Sequence, residues 1–197
     1  MNKNSGFTLI EISIVLVIIG LILGAVMLSG NSTIFSSKAT STITAIKDLS
    51  GAVIDFKSRF HYLPGDMPKA GDDIPSISGT TCDIAVATAN IGNGLIDTTT
   101  EKACVAQELV AAGFIKSQSS FISPFNLGGA QDIFIVSKSL AAVTTYPITV
   151  QNVTEIQNLP GDSALTIDRK IDDGDLTTGD VRGVSGVGAT ITLDIAI

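Results

Sequence analysis

The stretch Gly6-Phe7-Thr8-Leu9-Ile10-Glu11 opens an apolar run of membrane length, and this run decides how the rest of the chain can be arranged. A short leader, residues 1–6, precedes it, with Lys3 as its only charge. Phe7–Leu28 counts 22 residues, which as a helix span roughly 33 Å, enough to cross a bilayer. Glu11 is the single charged residue in this run.

The order of the small residue and the apolar core is the reverse of that in an ordinary secretory signal. Such a signal places its apolar core before a small-residue cleavage site. Here Gly6 comes before the core. Cleavage after Gly6 would remove the leader and keep the hydrophobic helix.

Glu11 is costly where it stands, so the sequence indicates a function for it. A charged side chain at the bilayer centre costs about 2.5–3.5 kcal/mol, and less near the end of a helix. An amine freed on Phe7 of a neighbouring copy could pair with Glu11, offset its desolvation and set the axial stagger between subunits. The alternative is a carboxylate that reaches to the lipid headgroups.

These residues resemble the leader of type IV prepilins and type II secretion pseudopilins. The matching positions are Gly6, Phe7, Thr8, Leu9, Ile10, Glu11, Ile14, Val15, Ile18, Ile19 and Gly20. The resemblance implies cleavage between Gly6 and Phe7 by a prepilin peptidase, methylation of the new amine on Phe7, and an assembly function for Glu11. It also implies an inner-membrane assembly platform, membrane lipid around the helix before assembly, and a helical filament of this chain or other pilins.

The expected function is therefore that of a structural subunit of a type IV pilus-like filament. Its expected location is the bacterial inner membrane before assembly, and a periplasmic or extracellular filament afterwards. A type II secretion pseudopilin or a minor pilin remains an alternative. An alternative of another class is a single-pass membrane-anchored binding domain that does not polymerise.

Composition limits the other functions. The net charge is −7 and no stretch is rich in Lys or Arg, so no direct nucleic-acid partner is expected. His61 is the only histidine, and no catalytic pairing stands out around it. We therefore expect no enzymatic activity and no required cofactor.

Residues 31–60 are predicted to form an amphipathic helix that continues the apolar segment 7–30. Apolar and small residues recur there at spacings of three and four, as one buried face requires. This face comprises Phe35, Ala39, Thr42, Ile46, Leu49, Val53, Phe56 and Phe60. Ser29-Gly30-Asn31-Ser32 predicts a bend or break, because glycine lowers helix stability by about 1 kcal/mol relative to alanine.

Residues 61–197 are predicted to form an α+β head whose antiparallel sheet lies over the long helix. The predicted strands are Asp132–Ser137, Tyr146–Val153 and Ala189–Ile197. One helix is predicted to open at Thr100-Glu101 and end before Gly113. A second helix is predicted between the last two strands, capped by Asp162 and stopped by Gly174.

Cys82 and Cys104 are the only cysteines. Export implied by the resemblance would place them in an oxidising compartment, where two thiols usually pair. A disulfide between them is therefore expected, with two free buried thiols as the alternative.

Five acids, Asp168, Asp172, Asp173, Asp175 and Asp180, lie within 13 residues of a glycine-containing loop. Carboxylate oxygens on such a loop suit Ca²⁺, and main-filament pseudopilins as a group carry a structural calcium in a C-terminal loop. The spacing does not match an EF-hand. The plainer interpretation is a solvated turn of capping acids, with Arg169 and Lys170 as counter-charges.

Overall fold

The computed structural model describes residues 7–84, 90–142, 146–147, 149, 151–185 and 190–196, with the side chains of 26–32 outside the description. The chain divides into two compact units, Met1–Ser37 and Lys38–Ile197. The second unit has the predicted α+β class, with a four-stranded antiparallel sheet.

Helix α1, Leu9–Phe60, is the longest element and begins in the first unit. Its helical assignment continues through Ser29–Ser32, so the predicted break does not occur there. Within the described residues, no helical stretch is both long enough and apolar enough to cross a bilayer. The predicted span Phe7–Leu28 extends into residues 26–28, whose side chains lie outside the description.

The part of α1 that belongs to the second unit buries the face predicted from its periodicity. Its buried members are Ala39, Thr42, Ile46, Leu49, Val53 and Phe56. Phe60 is half-buried, whereas Phe35, which lies in the first unit, is exposed. The prediction was thus wrong for Phe35, because periodicity identifies a helix face without showing how far along the helix that face is covered.

The sheet contains strands β1 (Ile133–Ser137), β2 (Asn152–Pro160), β3 (Val181–Ser185) and β4 (Thr190–Ala196) in the order β1-β2-β4-β3. All neighbouring pairs are antiparallel. The apolar residues Ile133, Ile135, Ile156, Leu193 and Ile195 join the α1 face in the main core. This packing covers one face of the sheet and stabilises the domain through the area removed from water.

Two of the three predicted strands are confirmed, at β1 and β4. The predicted strand Tyr146–Val153 was wrong, since β2 begins at Asn152 and runs on to Pro160. The register of β2 shifts between Ile156 and Leu159, and Asn158 adopts a φ of 59° there. This irregularity allows the strand to continue into the pair Leu159-Pro160.

The segment between α1 and β1 contains two helices and two 3₁₀ turns among its described residues. Helix α2 is a four-residue turn, Ala70–Asp73, and Pro75–Ile77 forms a 3₁₀ turn. Helix α3, Thr99–Ala111, begins with a capping box in which Thr98 and Glu101 exchange hydrogen bonds. Gly113 follows with a φ of 81°, as the prediction of a glycine after the helix end required. A second 3₁₀ turn covers Gln118–Phe121.

Helix α4, Gly161–Ile171, lies between β2 and β3 as predicted, but its ends differ from the prediction. Pro160 occupies the N-cap position, and Asp162 lies in the first helical turn without acting as the cap. Asp172 occupies the C-cap position, two residues before Gly174. Strand β3 was not predicted, because its sequence Val-Arg-Gly-Val-Ser alternates weakly and contains a glycine.

Cys82 and Cys104 form the predicted disulfide, with a Cα–Cα distance of 5.4 Å. The bond joins the segment before α3 to a buried position of α3. By the chain-entropy model, closing a loop of this length stabilises the fold by roughly 3 kcal/mol.

Candidate functional site

The N-terminal site is formed by Phe7, Thr8 and Glu11 at the start of α1. Thr8 directly precedes the helix, and its N–H and Oγ1 donate to Glu11 Oε2 at 2.8 and 2.6 Å. The Glu11 N–H lies 3.3 Å from Thr8 Oγ1. These reciprocal bonds form a capping box that satisfies N–H groups at the helix start.

The capping box holds the Glu11 carboxylate one turn from Phe7. Phe7 is 85% exposed, and Gly6 lies outside the described residues. A carboxylate at a helix N-terminus is also favoured by the helix dipole. The arrangement presents an anion beside the position where cleavage after Gly6 would create an ammonium group.

The side chains that follow Glu11 are apolar and uncovered. Residues 12–25 are exposed throughout, including Leu16 at 63% and Leu21 at 71%. Ser13 Oγ donates to the carbonyl oxygen of Ile10, so this hydroxyl is satisfied within the helix. A helix that is apolar on all sides requires lipid or other helices around it.

The acidic loop, residues 168–180, contains the second predicted site. Carboxylate oxygens of Asp168, Asp172 and Asp173 all lie within 4.8 Å of one another. Among the described residues, Asp175 and Asp180 do not join this group. Three of the five predicted ligands are therefore brought together.

Several of these carboxylates already stabilise the loop. Asp172 Oδ2 accepts the N–H groups of Asp180 at 2.6 Å and Val181 at 2.9 Å. Asp173 Oδ2 accepts Thr178 Oγ1 at 2.6 Å, and Asp175 Oδ1 accepts Thr177 Oγ1 at 2.7 Å. These are the bonds expected from the plainer interpretation, a turn held by its own acids.

Asp168 differs from the other acids because it is wholly buried. Neither of its carboxylate oxygens accepts a hydrogen bond of normal geometry, although the nearby Gly174 N–H lowers its pKa. Burial, followed by the charges of Asp173 and Asp172, has the larger effect and raises that pKa. A buried carboxylate without a full set of donors, beside two further carboxylates, is an arrangement that a divalent cation would stabilise.

The acidic loop also covers the free edge of the sheet. Strand β3 pairs only with β4 in the described sheet, and the N–H of Gly183 in its middle donates to the carbonyl oxygen of Leu176 at 2.9 Å. An uncovered edge strand would present unpaired backbone groups to other chains. The position of this loop therefore affects the sheet as well as the acids.

In a comparison with known protein families, residues 1–27 match the prokaryotic N-terminal methylation motif. The chain carries a pilin-type N-terminus. This motif is the hallmark of type IV pilins and pseudopilins, and it contains the Phe7, Thr8 and Glu11 site described above. Comparisons with curated proteins and with solved structures gave no significant match.

The capping function of Thr8 in this pilin-type N-terminus was not predicted by our sequence analysis. Its signal is the spacing Thr-x-x-Glu before an apolar run, which is typical of a capping box. In the head, Asp66 and Glu108 were likewise given no function, and both are wholly buried. Asp66 follows a Pro-Gly turn signal, but no short motif indicates that an acid at either position would be buried.

Proposed function

We propose that this chain is a structural subunit of a type IV pilus-like filament. The observation that supports the proposal is the pilin-type motif, with Glu11 held beside Phe7 at the start of an exposed apolar helix. A prepilin peptidase would cut after Gly6, and methylation would follow on the new amine of Phe7. Membrane lipid would surround the helix until an inner-membrane platform transfers the subunit into the filament.

Assembly would remove two energetic costs of a single subunit, its uncovered apolar helix and the unpaired charge of Glu11. The apolar side chains between Ile12 and Leu23 would leave lipid and pack on those of neighbouring copies. The Phe7 ammonium of one copy would pair with Glu11 of the next in a setting of low dielectric constant, where an unpaired charge is strongly unfavourable. Such contacts join different surfaces of successive subunits, and contacts of this kind that do not close generate helical filaments.

The related alternatives use the same N-terminal chemistry. A type II secretion pseudopilin or a minor pilin would be cleaved and methylated in the same way, and would differ in the length of its filament or in its position within it. A single-pass anchored binding domain would keep residues 1–6 and would not polymerise. We propose that the protein acts as a structural subunit and not as an enzyme.

The proposal is tested first by the N-terminal mass of the protein, measured in the native membrane fraction and in the fraction sheared from the cell surface. We expect a chain that begins at methylated Phe7 in the sheared fraction. A chain that retains Met1, with none of the protein sheared, would instead support the anchored domain.

Glu11→Ala tests the assembly step separately from processing. We expect a processed, membrane-held protein that fails to appear in the sheared fraction, because the partner of the Phe7 amine has been removed. Ser13→Ala is the matched control, since Ser13 is exposed on the same helix and bonds only to its own backbone. A normal filament yield from Glu11→Ala would contradict the function assigned to this residue.

We also propose that the acidic loop binds a structural calcium ion through Asp168, Asp172 and Asp173. The supporting observation is the buried Asp168 carboxylate, which has no normal hydrogen bond and faces two acids. Bound calcium would hold together the end of α4 and the loop that covers the edge of β3. It would act as a structural ion with no part in any reaction.

Calcium binding is tested by thermal unfolding of the protein with and without millimolar calcium. Because a ligand that binds only the folded state stabilises it by mass action, we expect calcium to raise the Tm of the wild type. Asp168→Asn should abolish this rise, whereas Asp73→Asn, an exposed acid of α2, should keep it. A wild-type Tm that does not change with calcium would leave only the plainer interpretation of the loop.

A further inference from the structure

Two buried acids, Asp66 of the segment Leu63–Met67 and Glu108 of helix α3, bind backbone N–H groups of neighbouring loop segments; we refer to them together as the acid pair. Glu108 Oε2 accepts the N–H of Gly65 at 2.8 Å. Asp66 accepts three successive backbone N–H groups, those of Gly92 at 2.5 Å, Asn93 at 3.2 Å and Gly94 at 2.7 Å. Glu108 therefore fastens Leu63–Met67 to α3, and Asp66 fastens Gly92–Gly94 to Leu63–Met67.

Gly65 makes this fastening tight. It has a φ of 87°, and a Cβ at this position would clash with the carbonyl oxygen of Glu101 on α3. Only glycine combines this conformation with such close approach. The Leu63–Met67 segment therefore lies directly on α3, where Glu108 has no room for a water layer between itself and Gly65.

No described cation neutralises Glu108. Its Oε1 atom is buried and has no hydrogen-bond partner. The described elements that contact α3 most closely are the 3₁₀ turns Pro75–Ile77 and Gln118–Phe121 and strand β1, and none of these three contains an acidic or basic residue. Lys102 of α3 pairs with Glu155 of β2 at 2.9 Å.

The charged groups that do face the acid pair are other acids. Asp66 lies near Glu108, Asp97 lies near Asp66, and Glu101 precedes Glu108 on α3. Burial is the main cause that raises the pKa of Glu108 to about 8; the Gly65 N–H opposes this rise and the charge of Asp66 adds to it. Burial also raises the pKa of Asp66, despite its three N–H donors.

We propose that the acid pair is a proton-dependent latch. While Glu108 holds its proton, it carries no charge, and the pair keeps Leu63–Met67 against α3 and Gly92–Gly94 against Leu63–Met67. When Glu108 loses that proton to water, two negative charges face each other in a buried place and the segments loosen. This inference concerns the head alone and is independent of whether the chain forms filaments.

The latch would change a groove on the head beside α1. Leu63, Gly94 and Ile96 line a cavity of about 240 Å³ together with Val53 and Lys57 of α1. Two of these lining residues belong to the latched segments. Loosening the latch would thus reshape a surface that includes the exposed side chain of Ile54.

The sign of the pH effect follows from linkage. A carboxyl group whose pKa is higher in the folded than in the unfolded protein binds more protons when folded. Its contribution to stability is complete below the ordinary glutamate pKa and is lost as pH rises through the folded value of about 8. We therefore expect the latch to hold in mildly acidic solution and to weaken in mildly alkaline solution.

The test is hydrogen exchange on the full chain in detergent micelles, corrected for intrinsic rates, together with a ¹³C NMR titration of the Glu108 carboxyl group. For the wild type we expect Glu108 to titrate well above the usual glutamate range. Protection of the Gly65 and Gly92–Gly94 amides should fall by roughly tenfold or more between about pH 5 and pH 9.

Glu108→Gln mimics the protonated acid and keeps an acceptor for the Gly65 N–H, so it should remove most of this pH dependence. Asp73→Asn, at an exposed acid, should retain the wild-type dependence. An ordinary glutamate titration for Glu108 in the wild type would overturn the proposal, even if the glutamine variant did not fold. Protection that falls equally in the wild type and in Glu108→Gln would also overturn it.

Discussion

The two parts of helix α1 belong to one element but have different surroundings. From Leu9 to Ala25 the side chains are exposed on all sides, and nearly all of them are apolar. From Lys38 to Phe60 the apolar side chains are concentrated on one face, and that face is buried in the head. The difference shows that one continuous helix can carry two distributions of apolar side chains, on all sides in its first part and on one face in its second.

The comparison is tested most strongly by truncating one large side chain in each part. Phe56 is wholly buried and packs in tilted geometry against Phe60 and Phe114, with ring centroids 4.6 and 5.8 Å away. We expect Phe56→Ala to reduce the free energy of unfolding of the head by about 3–5 kcal/mol, because it leaves a cavity in the core. Denaturant unfolding of the full chain in detergent measures this loss.

Leu16→Ala is the paired variant in the exposed part of the helix. Leu16 is 63% exposed, so its truncation should change the unfolding free energy of the head by less than about 0.5 kcal/mol. If the two variants destabilised the head equally, the distinction between the two parts of α1 would be lost. Under the proposed function, Leu16→Ala should instead lower the yield of sheared filaments.

Removing the disulfide tests how much of the free energy of unfolding of the head comes from this covalent bond. We expect replacement of both Cys82 and Cys104 by alanine to reduce the unfolding free energy by roughly 3 kcal/mol, because the unfolded chain regains the freedom of the closed loop. The measurement is denaturant unfolding of the oxidised wild type and the double variant. Reduction of the wild type should give a similar loss, and a reductant should have no effect on the double variant.

How much of this molecule can be predicted from its sequence depends on the range over which each residue acts. The long helix, most of its buried face, the end of α3 before Gly113 and strands β1 and β4 follow from local periodicity and short motifs. Tyr146–Val153 misled the prediction because a run of β-forming residues does not reveal where pairing begins. Tyr146 is buried by a tertiary contact, with its hydroxyl donating to the carbonyl oxygen of Asp194 at 2.6 Å.

The candidate sites also divide into those set by local sequence and those set by tertiary packing. The N-terminal site could be predicted because its residues lie within five positions of one another. In the acidic loop, local spacing identified five acids, yet burial selects Asp168 among them, and burial depends on how α4 packs on the sheet. The acid pair was not predicted because Asp66 and Glu108 are 42 positions apart in the sequence.

The smallest expected change in unfolding free energy comes from the two capping boxes. One lies at the exposed start of α1 and the other in the head, so the same Thr→Ala change can be compared in both places. Thr98 and Glu101 cap α3, where Glu101 is buried and accepts the N–H groups of Asp97 and Thr98 at 2.8 and 2.9 Å. We expect Thr98→Ala to reduce the unfolding free energy of the head by about 1 kcal/mol, since a capping acceptor is lost at a helix that packs on the sheet. Denaturant unfolding can resolve this change.

Thr8→Ala removes the corresponding oxygen at the start of α1. Because Thr8 and Glu11 are exposed in the first unit, this change should leave the unfolding free energy of the head unaltered. It should instead fray the first turn, which amide exchange at Glu11 would detect, since the Glu11 N–H loses its acceptor, Thr8 Oγ1. Equal destabilisation of the head by both threonine variants would mean that the start of α1 contributes to head stability, against the division drawn here.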